Sequence, residues 1–312
     1  MPEKLPPVLL CALLFAFALA FTLAGHAVEY RSVDSADGLP IAVAQWGDSD
    51  GPDVLLLHGA GFSKEYWLQQ RSDAVDRCAR FVAPDLRGHG ASGKPWTEEQ
   101  VLGSTTWAAD LQGVIDAFDM REVLIVGWSY GGYVAMDYLR HHGSERIRGV
   151  LLVGSAAGLV PRPEGGSGEL PEGFVEAAQQ RRSLDLRDNR LGSRYIADLM
   201  TERGLTEDER GAWTLQMIAS PVYFRKLMSR RTLENSDLIE RLDLPVRFLL
   251  GGRDLSVSIP AIEGLAASKP GIELRVSPAA GHAVSHDDPQ MFFESLLAML
   301  SKDRLPDACT AR

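Results

Sequence analysis

The sequence predicts a doubly wound α/β fold: a mostly parallel sheet of about eight strands with helices on both faces. Short apolar runs recur along the chain, and stretches with helical apolar spacing separate them. Four of the runs are apolar almost throughout, the pattern of strands buried on both faces of a parallel sheet. One interval, residues 154–245, breaks the alternation and reads as helices only.

In chain order, the N-terminus comes first and stands apart from the fold. Lys4 precedes the uncharged run VLLCALLFAFALAFTLA (8–24), and Gly25 and Ala27 place small residues ahead of a cleavage before Val28. Residues 1–27 are therefore expected to be a signal peptide. An uncleaved membrane anchor is the alternative, because the run approaches the length that spans a bilayer. Either one puts the folded part outside the cytoplasm, secreted, periplasmic or anchored, and the anchor is its only expected link to a membrane. Leu10 ahead of Cys11 argues against a lipoprotein site.

From Val28 onward, two short runs around 29–34 and 40–45 flank Asp37-Gly38 and predict an antiparallel hairpin at the sheet edge. VLLL (54–57), FVA (81–83), VLIV (123–126), GVLLV (149–153), VRFLL (246–250) and IELRV (272–276) predict six more strands. Helices are expected at about 64–77, 104–119, 130–142, 258–268 and 288–301, and within the long interval near 173–183, 192–202, 206–219 and 221–229. Residues 28–157 and 237–303 then form the α/β core. Residues 158–236 form a helical cap inserted after the sixth strand, and 304–312 a C-terminal tail. Such a cap emerges at the carboxyl ends of the strands, where open α/β sheets bind ligands; a small separate domain is the other reading. Trp213, Met217, Tyr223 and Phe224 are its candidate pocket-lining residues, beside the plainer reading that they pack the cap itself.

With 45% hydrophobic and 24% charged residues, the composition is that of an ordinary globular chain. The formal charge of −10, without a dense basic cluster, argues against a nucleic-acid partner. The pairs Arg181-Arg182 and Arg230-Arg231 are expected on the solvated surface. Cys11, Cys78 and Cys309 lack ligand spacing, and no His/Cys/carboxylate cluster has it either, so no metal or organic cofactor is expected. Export permits a Cys78–Cys309 bridge that the sequence does not decide, and nothing in it sets the oligomeric state.

The chemistry concentrates at strand ends. GWSYGG (127–132) follows the VLIV run. A glycine there is a common stop signal and a serine a common helix cap. In the chemical reading, Ser129 sits on a sharp strand-to-helix turn that exposes its hydroxyl and aims the next helix's N-terminus at an anion. A hydroxyl needs a base, and the base needs a group that holds its tautomer. FLLGGRD places Asp254 just past one strand, and SPAAGH places His282 just past the next. Alone, each reads as a turn residue; together, at one edge of one sheet, they read as acid and base. His286 is the alternative base, while His141 and His142 fall at a helix end, where a cation suits the dipole.

G-x-S-x-G between strand and helix, followed by acid and then histidine, resembles the nucleophile elbow of the α/β-hydrolase superfamily. LLLHGAGFSKEYW (55–67) is similar to that family's His-Gly loop, and PDLRGHGASGKP (84–95) to its Asp-x-Arg-Gly-x-Gly-x-Ser segment. The resemblance runs from about Val28 to Leu300 and leaves out only the cap. It implies Ser129 as nucleophile, His282 as base, Asp254 as orienting acid, and the backbone N–H groups of Ala60 and Tyr130 as oxyanion donors, with Gly61 as an alternative. It implies loop-holding roles for His58, Asp85, Arg87 and Ser92. Ser129 disfavours relatives with an aspartate nucleophile, such as haloalkane dehalogenases and epoxide hydrolases. GWSYGG looks most like the serine esterases that include cofactor-free haloperoxidases. The implied activity is hydrolysis of a small carboxylic ester or related small-molecule acyl substrate through an acyl-serine intermediate. Carbon–carbon bond hydrolases and lactonases use the same residues, a membrane lipase is suggested by the leader alone, and a non-catalytic ligand binder is the rival outside enzymology.

Overall fold

The computed structural model describes residues 27–161 and 170–300, together with Leu305 and Cys309. The expected leader run lies outside the described residues. Eight strands make one sheet: β1 (Glu29–Asp34), β2 (Pro40–Gly47), β3 (Asp53–Leu57), β4 (Arg80–Pro84), β5 (Val123–Trp128), β6 (Ile147–Val153), β7 (Val246–Gly251) and β8 (Ile272–Ser277). Their order across the sheet is β1-β2-β4-β3-β5-β6-β7-β8. The first two form the antiparallel hairpin read at Asp37-Gly38, and β2 also runs antiparallel to β4. All other pairings are parallel.

Alternation along the central strands explains why helices cover both faces. In β3, Val54 and Leu56 pack into one apolar cluster and Leu55 and Leu57 into another; in β5, Leu124 and Val126 part in the same way from Val123 and Ile125. The helices Ser104–Ala117 and Tyr130–His142 cover the face of Leu55, Leu57, Val123 and Ile125. Tyr66, Trp67, Phe292 and Leu296 cover the opposite face. β3 pairs with β4 on one side and β5 on the other, so the winding reverses there and opens a crevice at the carboxyl ends.

Local chemistry adjusts several expected helices. The single helix expected at 64–77 is two short ones, Glu65–Gln69 and Asp73–Asp76. Ser72-Asp73 is itself a helix-start pair, and Ser72 adopts extended backbone there (φ −141°, ψ 126°), which interrupts the run. A helix not anticipated, Glu98–Leu102, begins where the Thr97 side chain accepts from the Gln100 N–H. Between β6 and β7 lie Phe174–Gln180, Leu186–Leu199, Glu207–Ala219 and Val222–Met228. Leu186–Leu199 starts six residues earlier than expected because Asp185 caps it, accepting from the N–H groups of Arg187 and Asp188. Thr206 and Glu209 form a reciprocal capping box at Glu207–Ala219. Among the described residues no helix is long and apolar enough to cross a membrane.

Cys78 and Cys309 are joined in a disulfide that spans 231 residues of sequence. Cross-links of this kind contribute about 2–4 kcal/mol, in one account by restricting the unfolded chain. Cys309→Ser is expected to lower the thermal unfolding midpoint, and dithiothreitol should lower that of the wild type while leaving the variant unmoved.

Candidate active site

Ser129 leaves β5 with φ +51° and ψ −114°, a positive-φ conformation that costs a non-glycine residue about 1–3 kcal/mol. Three hydrogen bonds hold it there. Its N–H donates to Val153 O at 2.9 Å, and its carbonyl accepts from Gly132 N at 3.0 Å and from Ser155 Oγ at 2.7 Å. The flanking glycines are a matter of space. A Cβ on Gly131 would lie 2.4 Å from Leu57 O, and one on Gly127 would lie 2.7 Å from Gly132 Cα. The strand-to-helix crossing closes only without side chains at these positions.

Asp254 follows β7 and His282 follows β8, neighbouring parallel strands on the same side of Ser129 in the sheet. His282 Nδ1 lies 2.8 Å from Asp254 Oδ2. Asp254 Oδ1 accepts from Ser256 N at 2.8 Å and Ser256 Oγ at 2.7 Å, and that hydroxyl lies 3.0 Å from His282 Nδ1. The carboxylate thereby holds the neutral ring with its proton on Nδ1 and Nε2 as acceptor. Burial pushes the Asp254 carboxyl up, but the facing imidazole and the Ser256 bonds outweigh it and leave the pKa below the usual aspartate value. Burial disfavours the imidazolium too, yet the adjacent carboxylate prevails and raises the His282 pKa. Trp128 Nε1 donates to His282 O at 3.1 Å, which ties the residue before Ser129 to the histidine's main chain. The Ser129 hydroxyl forms no hydrogen bond to a described residue in this conformation.

The loop after β3 faces the same edge. A turn closed by Phe62 N–H to Gly59 O places Gly61 at φ +82° and leaves the Ala60 N–H outside the turn's own hydrogen bond. Tyr130 opens its helix, where backbone N–H groups lack intrahelical acceptors. The Gly59 Cβ position lies 3.2 Å from Ser129 Cβ, so loop and elbow are in contact. His58 is fully buried: Nδ1 donates to Gly59 O at 2.8 Å, Nε2 accepts from Leu86 N at 2.9 Å, and burial lowers its pKa to about 4. Both ring nitrogens are occupied, so it fastens the loop. The 84–95 segment is held by Ser92 Oγ on Asp85 O, by Lys64 on Asp85, and by Arg87 Nε and Nη2 on Asp110. His286 instead contacts Arg203, Gly204 O and Trp213, and His141 contacts Ser104.

Two supporting serines and two arginines were not legible in the sequence as site residues. Asp-x-Ser at 254–256 was the available signal for Ser256, since an aspartate side chain closes an Asx turn by accepting the backbone N–H two residues on, here that of Ser256. Ser155 carried none. The expectation that the Arg181-Arg182 and Arg230-Arg231 pairs are solvated holds for Arg182 and Arg230 and fails for the other two. Arg231 is buried, bonded to Tyr130 Oη and at 2.6 Å to Asp137. Arg181 points inward, its Nε buried without a partner. Each pair lies in the turn just past a helix end, where one side chain is directed inward and its neighbour meets water. Among the described residues no group of three or more His, Cys, Asp or Glu side chains is arranged to hold a metal ion.

A family model described as alpha/beta hydrolase family matches residues 54–295. The chain belongs to the alpha/beta hydrolase family. Among curated relatives, a non-heme chloroperoxidase of Kitasatospora aureofaciens is 25% identical over 275 residues, covering 85% of this chain and 98% of its own. A non-heme haloperoxidase of Rhodococcus erythropolis is 28% identical, with 81% and 92% covered. Among solved structures, a putative aryl esterase from Burkholderia cenocepacia superposes with a TM-score of 0.77 at 26% identity, covering 86% of this chain and 96% of that one. The esterase RhEst1 from a Rhodococcus species gives 0.73 at 26% identity, with 88% and 98% covered. Membership and these esterase neighbours make the chain a hydrolase.

Two measurements test this geometry. Asp254→Asn removes the charge that raises His282, so the imidazole titration followed by NMR should move to lower pH than in the wild type. Gly131→Ala drives a methyl group against the Leu57 carbonyl. It should cost about 1–3 kcal/mol, read as a lower urea midpoint at unchanged slope.

Proposed function

We propose that this alpha/beta hydrolase cleaves a small carboxylic ester or related acyl compound through a covalent acyl-Ser129 intermediate. His282 Nε2 takes the Ser129 proton as the oxygen attacks the acyl carbon, and the imidazolium so formed is stabilised by Asp254. The proton then passes to the departing alcohol. Ala60 and Tyr130 N–H groups receive the negative charge that develops on the carbonyl oxygen. Water, deprotonated by the same histidine, releases the acid. The observation that carries this reading is the Asp254–His282 contact at 2.8 Å, tied through the Trp128 indole on His282 O to the strand that ends at Ser129 and its positive-φ turn. Proton transfer requires Ser129 Oγ and His282 Nε2 to close to hydrogen-bond reach, a contact that commonly tightens when substrate binds.

A fluorophosphonate ester is expected to label the wild type on Ser129 and to leave Ser129→Ala unlabelled, with ester turnover reduced about 10⁴-fold or more. An unlabelled wild type would remove the nucleophile from the reading. The base must be neutral to act, so kcat/KM should fall as pH drops through a His282 pKa raised above about 6.5. In Asp254→Asn the remaining activity should keep its acid limb at lower pH.

We also propose that the chain is exported. The uncharged run at 8–24 and the Cys78–Cys309 disulfide support this, since such bridges persist in oxidising compartments. Expressed with its leader in a bacterial host, the protein should be recovered outside the cytoplasm with Val28 as its first residue. A product beginning at residue 1 in the membrane fraction would point to the anchor.

A further inference from the structure

Arg181 is held at the end of the helix Phe174–Gln180. Its N–H donates to Ala177 O at 2.9 Å, and its carbonyl accepts from Asn189 Nδ2 at 3.1 Å. Gly192 brings the next helix so close that a Cβ there would stand 2.8 Å from Arg181 N. The guanidinium reaches over the loop that follows β3: Nη2 lies 3.1 Å from the point a Cβ on Gly61 would occupy, one residue from Ala60.

Among the described residues nothing neutralises it. The Arg181 Nε is buried without a partner, and among the described residues no carboxylate pairs with this side chain. Burial, then Arg225 and Arg182, lower its pKa to about 10, so the influences on it all oppose its charge. Arg225, from the helix Val222–Met228, likewise has Nε and Nη2 buried without partners. The Gln216 carbonyl accepts from Ser63 N at 3.1 Å and Ser63 Oγ at 3.0 Å, which turns its Nε2 away, buried and without an acceptor. Both residues are partly buried, and cations drawn even partly out of water without counter-charges are costly, two together more so. Two guanidinium groups thus stand close enough to oppose each other's charge, Arg181 over the proposed oxyanion loop, and the Gln216 amide is fastened to Ser63, two residues past Gly61, in a chain whose net charge is −10.

We propose that Arg181, Arg225 and the Gln216 amide form a carboxylate subsite, and that the preferred substrates are acyl compounds bearing a second, anionic carboxyl group within a few bonds of the reacting carbonyl. This rests on the hydrolase reading above and names its substrate class. A planar carboxylate suits a guanidinium in two-point contact and supplies acceptors to the unpaired donors. The cationic pair also draws an anion into a protein that otherwise repels it.

The test compares kcat/KM for a p-nitrophenyl half-ester of glutarate with that for its neutral methyl ester of the same length. Wild type should favour the anion. Arg181→Gln and Arg225→Gln should each lower the anionic-to-neutral ratio about 10- to 100-fold, the range expected for one hydrogen bond to a charged group, chiefly through KM. Arg182→Gln, on the exposed neighbour, should leave the ratio where it was. Arg181→Met should melt no lower than wild type, because it removes an unpaired buried charge; a marked loss of stability would instead assign Arg181 a structural role and overturn the subsite. Free glutarate should slow fluorophosphonate labelling of wild type more than of Arg181→Gln. Labelling without any anionic preference would sink this inference while sparing the hydrolase reading, whereas absent labelling would defeat that reading itself.

Discussion

The active end of this molecule depends on one residue forced into an unfavourable backbone conformation and held there from three sides. Ser129 takes a positive φ that glycine would adopt freely, yet a glycine would have no hydroxyl. The strain is sustained by the sheet ladder through Val153, by the first turn of the following helix through Gly132, and by the Ser155 hydroxyl. Those contacts in turn require β3, β5 and β6 to lie side by side with no side chains at residues 127 and 131. A central parallel sheet, tight glycine packing and a serine hydroxyl presented at the sheet's rim are thus consequences of a single constraint.

The same strand order brings together groups distant along the chain. Parallel neighbours deliver their carboxyl ends to one rim, so Asp254 and His282 meet although 28 residues separate them. Gly154 provides the shelf beneath: a Cβ there would stand 2.5 Å from His282 O, 3.4 Å from its Nδ1 and 3.5 Å from Asp254 Oδ2. Trp128 fixes the histidine's main chain from the strand that carries the serine, and its indole stacks on Tyr66 at 3.9 Å between ring centres. The imidazole is therefore located by packing and by charge together.

What the sequence disclosed was whatever the backbone repeats locally. Continuous apolar runs marked the buried strands, and small residues around Ser129, Asp254 and His282 marked the turns at their ends, so the fold and the strand-end residues could be read in order. What stayed hidden depends on partners far away in the chain. Nothing near Arg231 announces Asp137 and Tyr130, and nothing near Arg181 announces a loop more than a hundred residues earlier. The interruption at Ser72 and the early start at Asp185 were lost to short capping bonds that compete with periodicity. The Cys78–Cys309 pairing was open for a different reason, because thiol spacing carries no information about approach in space.

The four α-helices described between β6 and β7 belong to one stretch of chain, while Ser129, Asp254 and His282 stand at the tips of separate strands. Met217 and Arg181 reach the β3 loop from that stretch, and Phe224 covers Gly88. Heritable variation in this single segment can reshape the surroundings of the β3 loop without moving the strand tips. Evolvability of this kind follows from topology: one contiguous insert can vary in length and sequence while the strand tips that carry Ser129, Asp254 and His282 keep their places.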